Sequence, residues 1–147
     1  MRKVIFIGQT GSGKTSLCQY LHDIESTYLK TQQVSYYQDA IDTPGEFLEN
    51  RLLYSALIGS SVDAEYVGFV QSVDSQVSSY PPSFAMTFTR PAIGVITKID
   101  KARDEKQIEQ ARNYLRLAGV KQIFETSTLT GEGLEEFTQW LLKKNKK

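Results

Sequence analysis

The chain has 147 residues and a formal net charge of zero, because 17 acidic residues balance 17 basic ones. This length suits one independent core, so we predict a single domain over residues 1–147. The charge balance gives no sign of a nucleic-acid surface, no apolar stretch is long enough for a membrane span, and one cysteine excludes an internal disulfide. We therefore expect a cytoplasmic protein that binds neither nucleic acid nor membrane.

Short apolar segments alternate with longer helix-like segments, which predicts an α/β fold with a mainly parallel sheet. The strand-like segments are residues 3–7, 33–37, 40–42, 66–71, 92–97 and 122–126. The helix-like segments are residues 14–22, 47–59, 104–118 and 134–143. The Ser-rich stretch 72–82 predicts a long surface loop, followed by a short helix at 83–88.

A glycine-rich segment, residues 8–15, separates the first strand from the first helix and matches the phosphate-binding pattern G-x-x-x-x-G-K-[ST]. Glycines let backbone N–H groups converge on one anion, and the helix N-terminus adds its dipole. We expect Lys14 to act as a catalytic cation at the outer phosphates and the Thr15 hydroxyl to bind Mg²⁺. The predicted phosphate-binding residues are Gly8, Thr10, Gly11, Ser12, Gly13, Lys14, Thr15 and Ser16.

The segment Asp42-Thr43-Pro44-Gly45 matches D-x-x-G at the end of a predicted strand. We expect Asp42 to support Mg²⁺ through a water molecule and the Gly45 N–H to reach the γ-phosphate, a contact that hydrolysis would remove. The same residues also suit an ordinary Pro-Gly turn, so this motif by itself leaves both interpretations open.

Two further motifs, T-K-I-D at residues 97–100 and S-T-L at residues 127–129, each follow a predicted strand. A carboxylate at Asp100 can accept hydrogen bonds from the ring N–H and exocyclic amine of guanine, and adenine has neither donor on that edge. We expect the Lys98 stem to lie over the base and a backbone N–H of the second motif to meet the guanine carbonyl. Taken separately, each motif could also be a solvated loop. The predicted base-binding residues are Thr97, Lys98, Asp100, Ser127 and Thr128.

All four motifs occur in the order that a GTPase domain requires, so the chain resembles the P-loop GTPases of Ras-like topology over essentially its whole length. The resemblance implies a three-layer fold with a six-stranded, mostly parallel sheet, helices on both faces and one antiparallel strand at residues 33–37. It also implies GTP or GDP with Mg²⁺ as ligands. The glycine-rich segment does not exclude ATP, which we keep as the alternative nucleotide.

Two segments are K-T-Q at residues 30–32 and I-D-T-P-G-E at residues 41–46. With them the chain resembles the EutP/PduV family of ethanolamine- and propanediol-utilisation proteins. The segments do not decide between the ethanolamine and propanediol branches. Members accompany bacterial microcompartments, so the resemblance implies a shell or enzyme protein as partner. Thr31 matches the switch threonine of this pattern, whose hydroxyl would bind Mg²⁺. It could also be an ordinary polar residue in a loop rich in Thr, Gln and Ser.

Glu46 occupies the position where Ras-like GTPases carry a water-orienting Gln. A carboxylate can accept from water but cannot also donate to the γ-phosphate, so we predict slow intrinsic hydrolysis. The candidate catalytic residues are therefore Lys14, Gly45 and Glu46. Glu46 could instead cap the following helix.

The leading hypothesis is thus a slow, Mg-dependent GTPase switch. An ATP-dependent acetate kinase would use the same glycine-rich segment, and this activity has been attached to the family. A nucleotide-binding scaffold that docks on a microcompartment shell is the third possibility, with residues 72–82 and the Lys-rich C-terminus as contacts. The sequence leaves the oligomeric state open.

Overall fold

The computed structural model describes residues 3–8, 12–32, 40–42, 64–75 and 80–143, with the backbone alone for residues 24–32 and 40–42. The strands are β1 (Val4–Ile7), β2 (Ala40–Asp42), β3 (Tyr66–Ser72), β4 (Ala92–Thr97) and β5 (Gln122–Glu125). The α-helices are α1 (Lys14–Gln32), α2 (Glu105–Leu117) and α3 (Leu134–Leu142), and short 3₁₀ turns occur at Phe84–Thr87 and Ile99–Lys101.

The described strands form one parallel sheet of five strands in the order β2-β1-β3-β4-β5. The central strands are almost entirely apolar, as expected where helices cover both faces of a sheet. Residues of α2 such as Leu115 pack in the core on one face, and residues of α1 and α3 such as Leu17 and Phe137 pack on the other. The predicted three-layer α/β fold is confirmed.

Two predicted elements, the antiparallel strand at 33–37 and the helix at 47–59, lie outside the described residues. The helix predicted at 104–118 is α2, and its N-cap Asp104 accepts a hydrogen bond of 3.0 Å from the Gln107 N–H. The short helix predicted at 83–88 is the 3₁₀ turn Phe84–Thr87. In the part of the chain that the structure describes, no helix has both the length and the apolar character needed to cross a bilayer.

The predicted end of the first helix was wrong, because α1 continues to Gln32 instead of ending at residue 22. No glycine or proline occurs between residues 14 and 32, so nothing in the local sequence stops the helix. At a rise of about 1.5 Å per residue, the backbone of Thr31 lies about 25 Å along the axis from Lys14. The structure therefore does not bring Thr31 beside the predicted phosphate-binding segment.

The end of the predicted surface loop 72–82 also differs from the expectation. β3 includes Ser72, and Tyr80 is buried, with a relative exposure of 6%. The ring of Tyr80 stacks on Phe69 at a centroid distance of 4.6 Å, and Phe84 and Phe88 complete this aromatic cluster. Tyr80 is thus part of the core, because its ring buries apolar area against this cluster, whereas Pro82 at the end of the segment is exposed as predicted.

Candidate nucleotide-binding site

The carboxyl ends of the parallel strands meet at one edge of the sheet, and the predicted site residues lie in the segments that follow them. The phosphate loop (residues 8–15) follows β1, the 97–100 segment ends β4, and the base loop (residues 126–133) follows β5. In open α/β sheets this edge is where ligands bind. The topology therefore brings the first, third and fourth sequence motifs to one edge.

The described part of the phosphate loop leads directly into α1. The Leu17 N–H donates to the Gly13 carbonyl at 3.0 Å, which closes the first helical turn. Lys14 is 6% exposed, whereas Thr15 and Ser16 are exposed at the helix N-terminus. A buried cation beside the first N–H groups of a helix is an arrangement suited to phosphate. Thr10 and Gly11 lie outside the described residues.

Two glycines of the phosphate loop are required by close contacts. A Cβ atom on Gly8 would lie 2.8 Å from the Ser12 hydroxyl oxygen and 3.2 Å from the Val70 carbonyl oxygen. Gly13 has a φ of +89°, and a Cβ there would lie 3.1 Å from the Thr97 hydroxyl oxygen. A larger residue at either position would push the loop away from the sheet.

Thr97, predicted to bind the base, is in contact with the phosphate loop. Its side chain is 3% exposed, and its hydroxyl donates a hydrogen bond to the Ser12 carbonyl oxygen. A hydroxyl carries one proton, so this proton cannot also be given to a ligand. The described contact makes Thr97 a link between the end of β4 and the phosphate loop.

Asp100 lies next to the base loop. Its Oδ1 atom accepts a hydrogen bond of 2.6 Å from the hydroxyl of Ser127, which is fully buried, and that hydroxyl in turn accepts from the Thr130 N–H at 3.1 Å. These two consecutive hydrogen bonds hold Asp100 in place through one of its carboxylate oxygens, although the residue itself is exposed. Asp100 and Ser127, which are far apart in sequence, are therefore brought together as predicted residues of one site.

The backbone of the base loop is tied to the end of β4. The Thr126 N–H donates to the Ile96 carbonyl at 2.8 Å, and the Ile99 N–H donates to the Thr126 carbonyl at 3.2 Å. The Ser127 N–H donates to the Glu132 carbonyl at 2.9 Å and is thus unavailable to a base. Thr128 is exposed, and its role at the base stays a prediction. Lys98 directly precedes the 3₁₀ turn and has a φ of +61°.

Arg112 is a residue of this region that the sequence motifs did not single out. Its guanidinium binds both carboxylate oxygens of Glu125, the last residue of β5, with Nη2 to Oε1 at 3.0 Å. The hydrogen bonds to Glu125 and then to Glu109 raise the pKa of Arg112. The spacing of Glu109 and Arg112 on one helix is visible in the sequence. The pairing of Arg112 with Glu125 of β5 is not visible in the sequence, because it depends on how α2 packs.

For Asp42, Gly45 and Glu46, which were predicted to bind the metal or to act in catalysis, the structure describes at most the backbone. Gly45 and Glu46 lie outside the described residues, and Asp42 is described as the last backbone position of β2, beside Phe6 of β1. The end of β2 lies at the same sheet edge as the phosphate loop. The roles of these three residues stay predictions.

A model of the ethanolamine utilisation–propanediol utilisation family matches residues 1–143. The propanediol utilization protein PduV of Citrobacter freundii is 39% identical over 136 residues, covering 92% of this chain and 90% of that protein. The probable acetate kinase EutP of Salmonella typhimurium is 29% identical over 144 residues, covering 96% of this chain and 89% of that protein.

Solved structures of two G domains share the fold. A variant of Aquifex aeolicus Era, bound to GDP and AlF4⁻, aligns with a TM-score of 0.61 at 19% identity, over 99% of this chain and 59% of Era. The G domain of the Thermotoga maritima iron transporter FeoB aligns with a TM-score of 0.60 at 22% identity, over 97% of each chain. The chain has the P-loop GTPase fold and belongs to the ethanolamine- and propanediol-utilisation family, which contains PduV and EutP.

Proposed function

We propose that this protein binds GTP and GDP and hydrolyses GTP slowly with Mg²⁺, as a switch in ethanolamine or propanediol catabolism. The observation that carries the proposal is the hydrogen bond between Asp100 and the buried Ser127, at the same sheet edge as the phosphate loop. A fixed carboxylate that can accept from two adjacent N–H groups favours guanine over adenine. The bound GDP of the Era structure supports the same ligand class.

The proposed roles follow the positions of the residues. Lys14 and the first N–H groups of α1 bind the phosphates, and the exposed Thr15 hydroxyl, at the first turn of that helix, is a suitable oxygen ligand for Mg²⁺. Asp42, which ends β2, would support the ion from the neighbouring strand. The Mg²⁺ ion would neutralise charge on the phosphate oxygens.

The residues that we propose for the switch are Thr31, Gly45 and Glu46, as the sequence indicates. Gly45 would contact the γ-phosphate, and Glu46 would accept from the attacking water without donating to the phosphate, which keeps hydrolysis slow. Thr31 would have to leave the helical position of this structure to reach the metal. A microcompartment shell or enzyme protein is the proposed partner of the GTP-bound form, in the cytoplasm.

An acetate kinase is the second candidate, because relatives named probable acetate kinase EutP match 96% of this chain. Such an enzyme would transfer the γ-phosphoryl group of ATP to acetate, which gives acetyl phosphate and ADP. It would use the phosphate loop and Lys14 equally well. An acetate kinase function does not explain why Ser127 holds the Asp100 carboxylate in place, because adenine has no pair of donors on the corresponding edge.

Competition for labelled GTP on the purified protein, with Mg²⁺ present, separates the two candidates. We expect unlabelled GTP to displace the label at concentrations roughly 100-fold lower than ATP, since adenine leaves the Asp100 carboxylate without a donor. Lys14→Ala, which removes the buried cation, should abolish binding of both nucleotides and serves as the control. Equal displacement by ATP, together with acetate-dependent ADP formation that Lys14→Ala removes, would favour the kinase.

A second expectation concerns Thr97. Its only hydroxyl proton is donated to the Ser12 carbonyl, so it has none to offer to the N7 acceptor of a purine. We expect GDP and 7-deaza-GDP, measured by calorimetry, to bind with affinities within about twofold of each other, and a preference for GDP of roughly fivefold or more would contradict this. Thr97→Val should weaken both ligands equally, by about tenfold, because the Ser12 carbonyl loses its donor.

A further inference from the structure

Tyr80 lies beneath the start of the phosphate loop, although it belongs to the segment that follows β3. Its hydroxyl oxygen is 2.9 Å from the Ile7 carbonyl oxygen and 2.7 Å from the Val70 carbonyl oxygen. Ile7 is the last residue of β1 and directly precedes Gly8 of the phosphate loop. One phenolic proton, shared between these two acceptors, therefore links the end of β1 to Val70, two residues before the end of β3, at the point where the loop begins.

The same carbonyl groups define how closely the loop approaches the sheet. The Val70 carbonyl oxygen lies 3.2 Å from the position of a Cβ atom on Gly8, so the backbone of Gly8 and the hydroxyl of Tyr80 both approach this oxygen. A displacement of either carbonyl would move the first residue of the phosphate loop. The hydroxyl thus acts on the loop through two backbone atoms.

The donor is held firmly in its protonated form. Burial raises the pKa of the Tyr80 hydroxyl well above its usual value, so the proton stays in place over the physiological range. Stacking on Phe69, with an interplanar angle of 24°, and on Phe84, with an angle of 23°, fixes the plane of the ring. The position of the hydroxyl is therefore set by the aromatic cluster rather than by the loop that it supports.

We propose that Tyr80 is a positioning residue for nucleotide phosphates: by holding the Ile7 and Val70 carbonyls, it places Gly8 so that the phosphate loop can bind a diphosphate. This inference rests on the proposed function in that the loop must bind a nucleotide. It does not depend on which base is bound. No sequence motif contains Tyr80, so the inference comes from the tertiary structure alone.

The test compares diphosphate with monophosphate binding in Tyr80→Phe, which keeps the stacked ring and removes the donor. Affinities for GDP, GMP, ADP and AMP are measured by calorimetry on the wild type and on folded variant protein, well below the melting temperature. We expect the ratio of GDP to GMP affinity to fall by about fivefold or more, because the loss falls on the phosphate loop. An unchanged ratio, with only a lower melting temperature, would overturn the inference.

Two variants separate positioning from packing and from a general effect of losing a tyrosine hydroxyl. Tyr114→Phe removes a hydroxyl that accepts a hydrogen bond of 2.6 Å from Gln110 on the exposed side of α2, and should leave the ratio unchanged. Phe88→Leu weakens the aromatic cluster at Phe69 and Phe84 but keeps the two rings that stack on Tyr80, and should lower stability while the ratio stays within about twofold of the wild type. A fall in the ratio with Phe88→Leu as large as with Tyr80→Phe would count against the inference.

A measurement on the folded protein covers the case in which Tyr80→Phe does not fold. Fluorotyrosine incorporated at Tyr80 should show a shift of its fluorine resonance when inorganic pyrophosphate is added, and no shift with guanosine. No response to pyrophosphate would overturn the inference. Failure of the proposed function looks different: a wild type that binds ADP but not GDP refutes the base assignment, and the ratio of ADP to AMP affinity then tests Tyr80.

Discussion

Replacing Asp100 with Asn should shift the nucleotide preference from guanine to xanthine, with GDP binding weakened roughly 100-fold and xanthosine diphosphate binding strengthened. The carboxylate is proposed to accept from two guanine N–H groups, and an amide places a donor where one of these acceptors was. Xanthine carries a carbonyl in place of the guanine amine, so it suits the amide. The Asn Oδ1 atom can still accept from the Ser127 hydroxyl, so the contact with the base loop is retained.

Competition binding with GDP, xanthosine diphosphate and ADP on the purified variant gives the result directly. Asp104→Asn is the matched control, since it makes the same change four residues away, where Asp104 caps α2 through the Gln107 N–H and an Asn can cap equally well. The control should keep the wild-type preference. A GDP preference that survives Asp100→Asn would show that this acid does not bind the base.

Gly133→Ala should destabilise the fold by about 3 kcal/mol or more, which lowers the melting temperature by roughly 10 °C. Gly133 precedes α3 with a φ of +74°, and a Cβ there would lie 1.8 Å from the Glu125 carbonyl oxygen. The obstructing atoms belong to the backbone of β5, so no side-chain rotation relieves the contact. Because Glu125 and Thr126 lead into Ser127, nucleotide binding should weaken as well.

Gly131→Ala is the matched control for this prediction. Gly131 has a φ of +84°, yet no atom of the described residues, apart from its two chain neighbours, lies within 4 Å of the position of its Cβ. Its replacement should therefore cost only the backbone strain of a left-handed residue, about 1 kcal/mol. Thermal denaturation of the two variants measures the difference, and equal melting temperatures would mean that backbone conformation, not the contact with Glu125, makes Gly133 necessary.

Local sequence patterns were enough to predict most described elements, because they depend on side-chain periodicity and turn chemistry. The apolar run before Gly8 predicted β1, and the spacing of Ile108, Leu115 and their neighbours predicted α2. The exception was α1, where the absence of glycine and proline allowed the helix to continue to Gln32. The order of the motifs along the chain was also sufficient to predict which loops meet at one edge of a parallel sheet.

The contacts within that edge were decided only by the tertiary structure. Thr97 was predicted to bind the base, but its hydroxyl binds the Ser12 carbonyl, a contact across 85 residues that no local pattern indicates. Tyr80 was predicted in a surface loop, and the aromatic cluster buries it beneath Gly8. The sequence by itself therefore determined the fold class, the family and the loops that meet at the candidate site. Packing determined which side chains hold those loops in place, because it joins residues whose separation along the chain carries no signal.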